Sequence, residues 1–225
     1  GELGNLRIIR DEFPFFARAY QKILAASQSY LLGWETVYFN AHNDFTWQNT
    51  VLLAPLALTD NDETVRRKIA VTAAYLDIWL MRRVVNYVRV GYSNASYAMY
   101  LLCRDIRRKS LHELVAVLKE KLAEDDIGFE GSAAKKREGL NGLALNQFSR
   151  RYIYHLLARV TAYVEANSGR TDPFENLVDR TADNPFDIEH IIPDDFAAVA
   201  RQFEDRQHFV RWRDHVASLL LLPAD

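Results

Sequence analysis

The sequence predicts a mainly α protein, with a multi-helix module over residues 1–169 and a short strand-containing unit over residues 170–225. Three observations predict it. Apolar residues recur at helical spacing from about residue 14 to residue 168. Cap and stop signals punctuate that stretch at intervals of one helix each. Beyond Gly169 the texture changes to short branched and aromatic runs set among prolines and polar turns.

Taken in order, Pro14 to Tyr30 places Phe15, Phe16, Ala19, Tyr20, Ile23 and Leu24 on one amphipathic face. A second helix is expected from about Phe45 to Leu58, kinked or cut short by Pro55. The strongest helix starts near Asp62 and runs to about Val90. Thr59-Asp60-Asn61-Asp62-Glu63 supplies its polar cap and acidic first turn, and Val65, Ile69, Leu76, Trp79, Leu80, Val84 and Tyr87 its apolar stripe. At ~1.5 Å per residue it would be roughly 40 Å long. Gly91 and Ser93-Asn94 should end it. Ala95 to Arg108 is the next helix, and Ser110-Leu111-His112-Glu113 has the spacing of a capping box opening another.

Residues 124–145 are polar and glycine-bearing, a loop with one short helical turn. Phe148 to Asn167 is the last long helix, ended by Ser168-Gly169. Arg170-Thr171-Asp172-Pro173 is a connector, and Phe174 to Val178 makes one turn. Phe186 to Pro193 reads as a strand and its exit, Phe203 to His215 as a helix, and Val216 to Leu222 as a second strand. Strand, irregular insert and strand make the opening of a ββα unit whose helix is not in this chain. The chain has no initiator Met and stops just after an apolar run, so it reads as a piece of a longer protein.

Composition narrows the function classes. A net charge of −2 with 26% charged residues argues against a domain that binds DNA through overall basicity, so any DNA contact must be local. Basic clusters occur at Arg66-Arg67-Lys68, Arg82-Arg83, Arg104 to Lys109, Lys135-Lys136-Arg137 and Arg150-Arg151. Most read as solvated helix faces. Lys135, Lys136 and Arg137 lie in the expected loop and are the best placed for phosphate contact. The tryptophans and tyrosines sit at helical spacing, as core residues do. The single cysteine, Cys103, rules out an internal disulfide and a CxxC zinc site; its apolar surroundings predict a buried thiol, in keeping with a reducing cytoplasm. No signal peptide or membrane-length apolar run is visible, so a cytoplasmic protein without a membrane partner is expected.

The segment that carries chemistry is Asp187-Ile188-Glu189-His190-Ile191-Ile192-Pro193-Asp194. A hard carboxylate oxygen suits Mg²⁺ or Mn²⁺, and a neutral imidazole can take a proton from water near neutral pH. Neighbouring strand residues point to opposite faces, so Glu189 and His190 can converge only if the strand ends there. Such a dipeptide is most often a surface feature; flanking isoleucines, the second carboxylate of Asp187 and the fixed exit at Pro193 set this one apart.

Asp-Ile-Glu-His-Ile-Ile-Pro resembles the opening motif of HNH (ββα-metal) nucleases. More closely, it is similar to the C-terminal nuclease domain of GmrSD-type restriction proteins, in which a strand reading Gly-Asn-Leu-x-Leu-Leu follows. Ala217-Ser218-Leu219-Leu220-Leu221-Leu222-Pro223 corresponds to that strand. The helices with Trp79-Leu80-Met81-Arg82-Arg83 and Arg150-Arg151-Tyr152-Ile153 look like the region before that domain, with the phosphorothioation-sensing SspE-type branch the nearest in character.

The resemblance implies a truncated HNH unit and a metal-dependent DNA endonuclease or nickase of phage defence. His190 would be the general base, Glu189 a ligand of one Mg²⁺ or Mn²⁺ ion, and Asp187 a supporting carboxylate. Ser218 stands where the family has asparagine and would support the loop, with His215 as a site neighbour. The family's last ligand would lie beyond residue 225. It also implies DNA as partner and an upstream nucleotide-hydrolysing or modification-sensing domain, since no Gly-rich phosphate loop occurs here. Two alternatives remain open: a non-cleaving helical DNA-binding or regulatory scaffold with a degenerate HNH unit, and a helical interaction module in which Glu189-His190 is incidental.

Overall fold

A computed structural model describes Leu6, residues 8–170 and residues 174–224. The connector expected at Thr171-Asp172-Pro173 lies outside the described residues. Ten α-helices and one two-stranded sheet occur among those described, so the mainly α reading holds. The chain forms two compact units, Gly1–Arg83 with Arg89–Ile127, and Val84–Val88 with Gly128–Asp225. The loop after residue 127 and the last long helix therefore group with the strands, upstream of the division expected at 169/170. No described helix is long and apolar enough to cross a membrane.

The first unit is built on α1 (Phe13–Gln28), α2 (Glu35–His42), α3 (Gln48–Val51), α4 (Asp62–Val85), α5 (Tyr92–Ile106) and α6 (Leu111–Glu124). α1 buries Ala19, Ile23 and Ala26, and α5 buries Ala95, Met99, Leu102 and Ile106, each at helical spacing. α4 is its central helix. Asn61 caps it by accepting from the Thr64 amide at 2.8 Å, and Asp62 and Glu63 fill the first turn. Val65, Ile69, Leu76, Leu80 and Val84 are buried as the stripe requires. It ends earlier than expected because Tyr87 takes a left-handed conformation at φ 54°; Gly91 instead caps the start of α5.

Two sequence readings give way to tertiary context here. The helix expected over 45–58 shrinks to α3 followed by turns with i→i+3 hydrogen bonds that run into Pro55. Lys68 is not on a solvated face. It is 1% exposed, with Nζ donating to both Asp60 carboxylate oxygens (2.9 and 2.7 Å) and to the Pro55 carbonyl (3.0 Å). Arg82 and Arg83 are likewise structural: Arg82 donates to the Leu122 carbonyl, and Arg83 pairs with Asp125 at 2.7 Å while covering the Trp79 ring.

The second unit contains α7 (Arg150–Asn167), α8 (Phe174–Val178), β1 (Phe186–His190), α9 (Phe196–Val199), α10 (Arg206–Arg213) and β2 (Leu219–Pro223). β1 and β2 pair antiparallel, with Ile188 opposite Leu221, Glu189 opposite Leu220 and His190 opposite Leu219. One face of this ribbon, carrying Ile188, Leu219 and Leu221, is buried; the other carries exposed Leu220 and Leu222. α7 lies against β2 and α8. Its Tyr154 hydroxyl sits 2.7 Å from the Leu177 carbonyl and 3.2 Å from that of Phe186, fixing α8 and the start of β1 together.

Between the strands, Asp195 and Asp205 cap α9 and α10, and Phe209 packs between Phe196 and Phe203 at ring separations of 5.3 Å each. The Asp205 cap starts α10 later than the helix expected from Phe203. A 3-10 turn at Val216–Ser218 takes up the first residues of the expected second strand.

Candidate active site

His190 ends β1, and its side chain shares the Ile188 face of the ribbon, because residues two apart on a strand point the same way. α10 delivers the partners. His190 Nε2 lies 3.2 Å from Asp214 Oδ1 and 3.2 Å from Arg213 Nη1, and Arg213 Nη1 donates to Asp214 Oδ1 at 3.3 Å. Arg213 Nη2 reaches Asp194 Oδ1, also at 3.3 Å. The His190 and Asp214 side chains are 20% and 30% exposed, buried enough to be ordered and open enough for water to enter.

The network fixes what His190 can do. If Nε2 carries the proton, it donates to Asp214, and Arg213 donates to the same carboxylate. Nδ1, which has no hydrogen bond among the described residues, then holds the free lone pair of a base. If the proton sits on Nδ1, Nε2 accepts from Arg213 and the ring has no lone pair to spare. The Arg213–Asp214 pair is the same in both tautomers, and only the first leaves a ring nitrogen free to act as a base. The backbone holds the arrangement: Leu145 N–H donates to the Asp214 carbonyl at 2.7 Å, Val216 N–H to Leu143 at 2.9 Å, and Ile191 N–H to Ser218 at 2.9 Å.

Glu189 and Asp187 are not brought to His190. β1 continues through His190, so the strand does not end between Glu189 and His190, and both carboxylates fall on the opposite, Leu220–Leu222 face. Asp187 is held by Arg150 at 3.1 Å and by its neighbour's amide, Ile188 N–H, at 2.8 Å; Glu189 is exposed. No group of three or more His, Cys, Asp or Glu side chains that could hold a metal occurs among the described residues. The residues as arranged therefore do not fit a complete cation site of the expected kind: Glu189 shares the far face with Asp187, whose carboxylate is engaged by Arg150.

The supporting residues have backbone duties. His215 caps the 3-10 turn, its Nδ1 accepting from Ala217 N–H at 3.2 Å, which places the proton on Nε2, 3.2 Å from the Asn141 carbonyl. With both nitrogens engaged, it is a brace. Ser218 contributes its carbonyl to Ile191, closing the ribbon beside His190. Lys135 and Lys136 are exposed on a tight turn closed by paired hydrogen bonds between Ser132 and Arg137, with Lys136 at φ 52°. Arg137 is turned inward instead, bonded to the Asn86 carbonyl. Arg213 and Asp214 are not singled out by the sequence, where their one signal is a basic and an acidic residue side by side near the end of a predicted helix; Asp194 closes the Asp187–Asp194 segment but has no role assigned there.

No protein-family model, curated protein or solved structure matches this chain.

Proposed function

We propose that the chain carries the general base of a DNA phosphodiesterase site, that of an HNH-type endonuclease or nickase in phage defence. The observation that carries this reading is the half-buried His190–Asp214 pair at the end of the ribbon, with Arg213 beside it. In this reading His190 takes the proton of an attacking water at Nδ1, and Asp214 stabilises the imidazolium that forms. Arg213, held between Asp194 and Asp214, offers a guanidinium to the charge that builds on a phosphate oxygen. The divalent ion that the resemblance implies would polarise the phosphate when bound; the carboxylates of Glu189 and Asp187 lie on the far ribbon face from His190.

A second reading has its own support. The divergence of Glu189 from His190 suits a degenerate unit on a non-cleaving scaffold that binds DNA through Lys135 and Lys136. Nicking of supercoiled plasmid in Mg²⁺ or Mn²⁺, by the chain and its His190→Ala variant, separates the two. Metal-dependent nicking lost in the variant supports the nuclease; no nicking, with salt-sensitive DNA binding retained, supports the scaffold.

A further inference from the structure

We propose that the first unit holds a separate binding site for a nucleotide unit bearing a phosphate, in the cleft between the start of α1, the α3 turn and the C-terminal end of α5. The cleft has a volume of about 510 Å³, within the range of ~300–1,000 Å³ usual for small-ligand sites. Its two sides are chemically distinct. Phe16, Leu53, Ala54 and Cys103 give it an apolar floor, and Arg104, Arg107 and Arg108 line its rim against one carboxylate, Glu12.

The rim is built by the fold. Arg108 N–H donates to the Ala54 carbonyl at 3.0 Å, docking the end of α5 onto the α3 turn and setting Arg108 at φ 53°. Glu12 reaches the Arg108 guanidinium only at 3.9 Å, and Arg104 is paired with Asp105 outside the cleft lining. Arg107 makes no ion pair among the described residues. Three guanidiniums over one carboxylate favour an anion, and the planar forked donors suit phosphate oxygens.

The aromatic component decides between anions. Tyr100 lines the cleft yet is 62% exposed, and Tyr97, one turn earlier on α5, is 71% exposed. Tyr97, Tyr100 and Arg104 stand at i, i+3 and i+7, so rings and guanidinium share one helix face that leads out of the cleft. Core tyrosines, as the helical spacing predicted, would not be left so open. Rings beside arginines provide stacking for bases and charge for phosphates. This inference does not rest on the nuclease reading, which concerns residues of the other unit.

Cys103 makes the test direct, because it is the only cysteine and lines the floor. Its reaction with a thiol reagent is followed in the full chain, without metal, against adenosine monophosphate, a short 5′-phosphorylated oligodeoxythymidine, inorganic phosphate and decanoate. The expected result is saturable protection by the nucleotide, weakened about tenfold by Arg104→Gln or Arg107→Gln, the loss of one charge-assisted contact, and partly restored by Arg104→Lys. Thermal melts of these exposed-residue variants check that they fold. Tighter binding of the oligonucleotide would assign the site to a strand, and equal binding to a free nucleotide. Equal protection by inorganic phosphate, protection by decanoate alone, no protection at all, or protection unchanged in both glutamine variants would each overturn the proposal.

Discussion

His190 Nε2 and Asp214 Oδ1 stand 3.2 Å apart, joining the last residue of β1 to the residue that closes α10. Twenty-four positions of chain separate them, and the antiparallel ribbon returns to the same spot through Leu219, opposite His190. The pairing leads to a prediction that the motif alone does not make. Asp214→Asn, which keeps shape and removes charge, should lower the nicking rate by about 10²-fold, comparable to the loss of a positioned acid–base contribution, with DNA affinity little changed. Rate and binding measured on the same preparation check it, and an unaltered rate would detach Asp214 from the chemistry.

Glu189→Gln should leave the fold and the His190 network untouched, because the side chain is exposed on the opposite ribbon face. If a cation is drawn to this carboxylate during cutting, the variant will need higher Mg²⁺ or Mn²⁺ for half-maximal nicking. A metal titration of both proteins reads this out.

The Lys68–Asp60 pair predicts a stability effect of a specific pattern. Asp60→Ala strands a buried ammonium and should cost about 3–5 kcal/mol, whereas Lys68→Met with Asp60→Asn should cost much less, since a paired removal leaves no uncompensated charge. Urea unfolding of the three proteins tests it. Equal losses in the single and double variants would mean that packing around the Lys68 stem, and not the ion pair, dominates.

The start of α6 was fully legible in the sequence. Ser110 Oγ accepts from Glu113 N–H at 3.4 Å, and Glu113 accepts from Ser110 N–H at 2.9 Å and from its hydroxyl at 2.6 Å. These bonds hold the Glu113 carboxyl below its ordinary value. Its contribution is therefore present above the usual carboxylate range and lost as pH falls through the lowered value. Ser110→Ala should cost about 1 kcal/mol and flatten that acid limb, as unfolding at a series of pH values would reveal.

At the other end of the scale, burial pushes the Tyr75 phenol up to about 12. A raised value means that the folded state resists ionisation. The Tyr75 contribution to stability should be constant below pH 10, the ordinary tyrosine value, and be lost as pH rises from there through about 12. Tyr75→Phe should remove that loss, measurable by alkaline denaturation.

What the sequence disclosed follows from how local each signal is. Helices with their own caps and stripes, such as α4, α5 and α6, were legible to within a few residues, and so were both strands. α2, with Val37 and Asn40 buried, was not anticipated, because its buried positions include an asparagine whose amide reaches the Ala73 carbonyl across 33 residues. Lys68 and Arg137 looked solvated because their partners, Asp60 and the Asn86 carbonyl, are set by turns that no periodicity encodes. The site split in the same way. The Asp-Ile-Glu-His motif located His190, but the face on which each neighbour falls depends on the ribbon register, and the register sends Glu189 and Asp187 away from it.

The most direct test of the central claim is metal-dependent nicking of supercoiled plasmid by the chain beside its His190→Ala and Asp214→Asn variants. Nicking should be abolished by EDTA, reduced ~10²-fold or more by His190→Ala, and reduced by about as much by Asp214→Asn. Equal nicking by all three would place the activity elsewhere and contradict the assignment of His190.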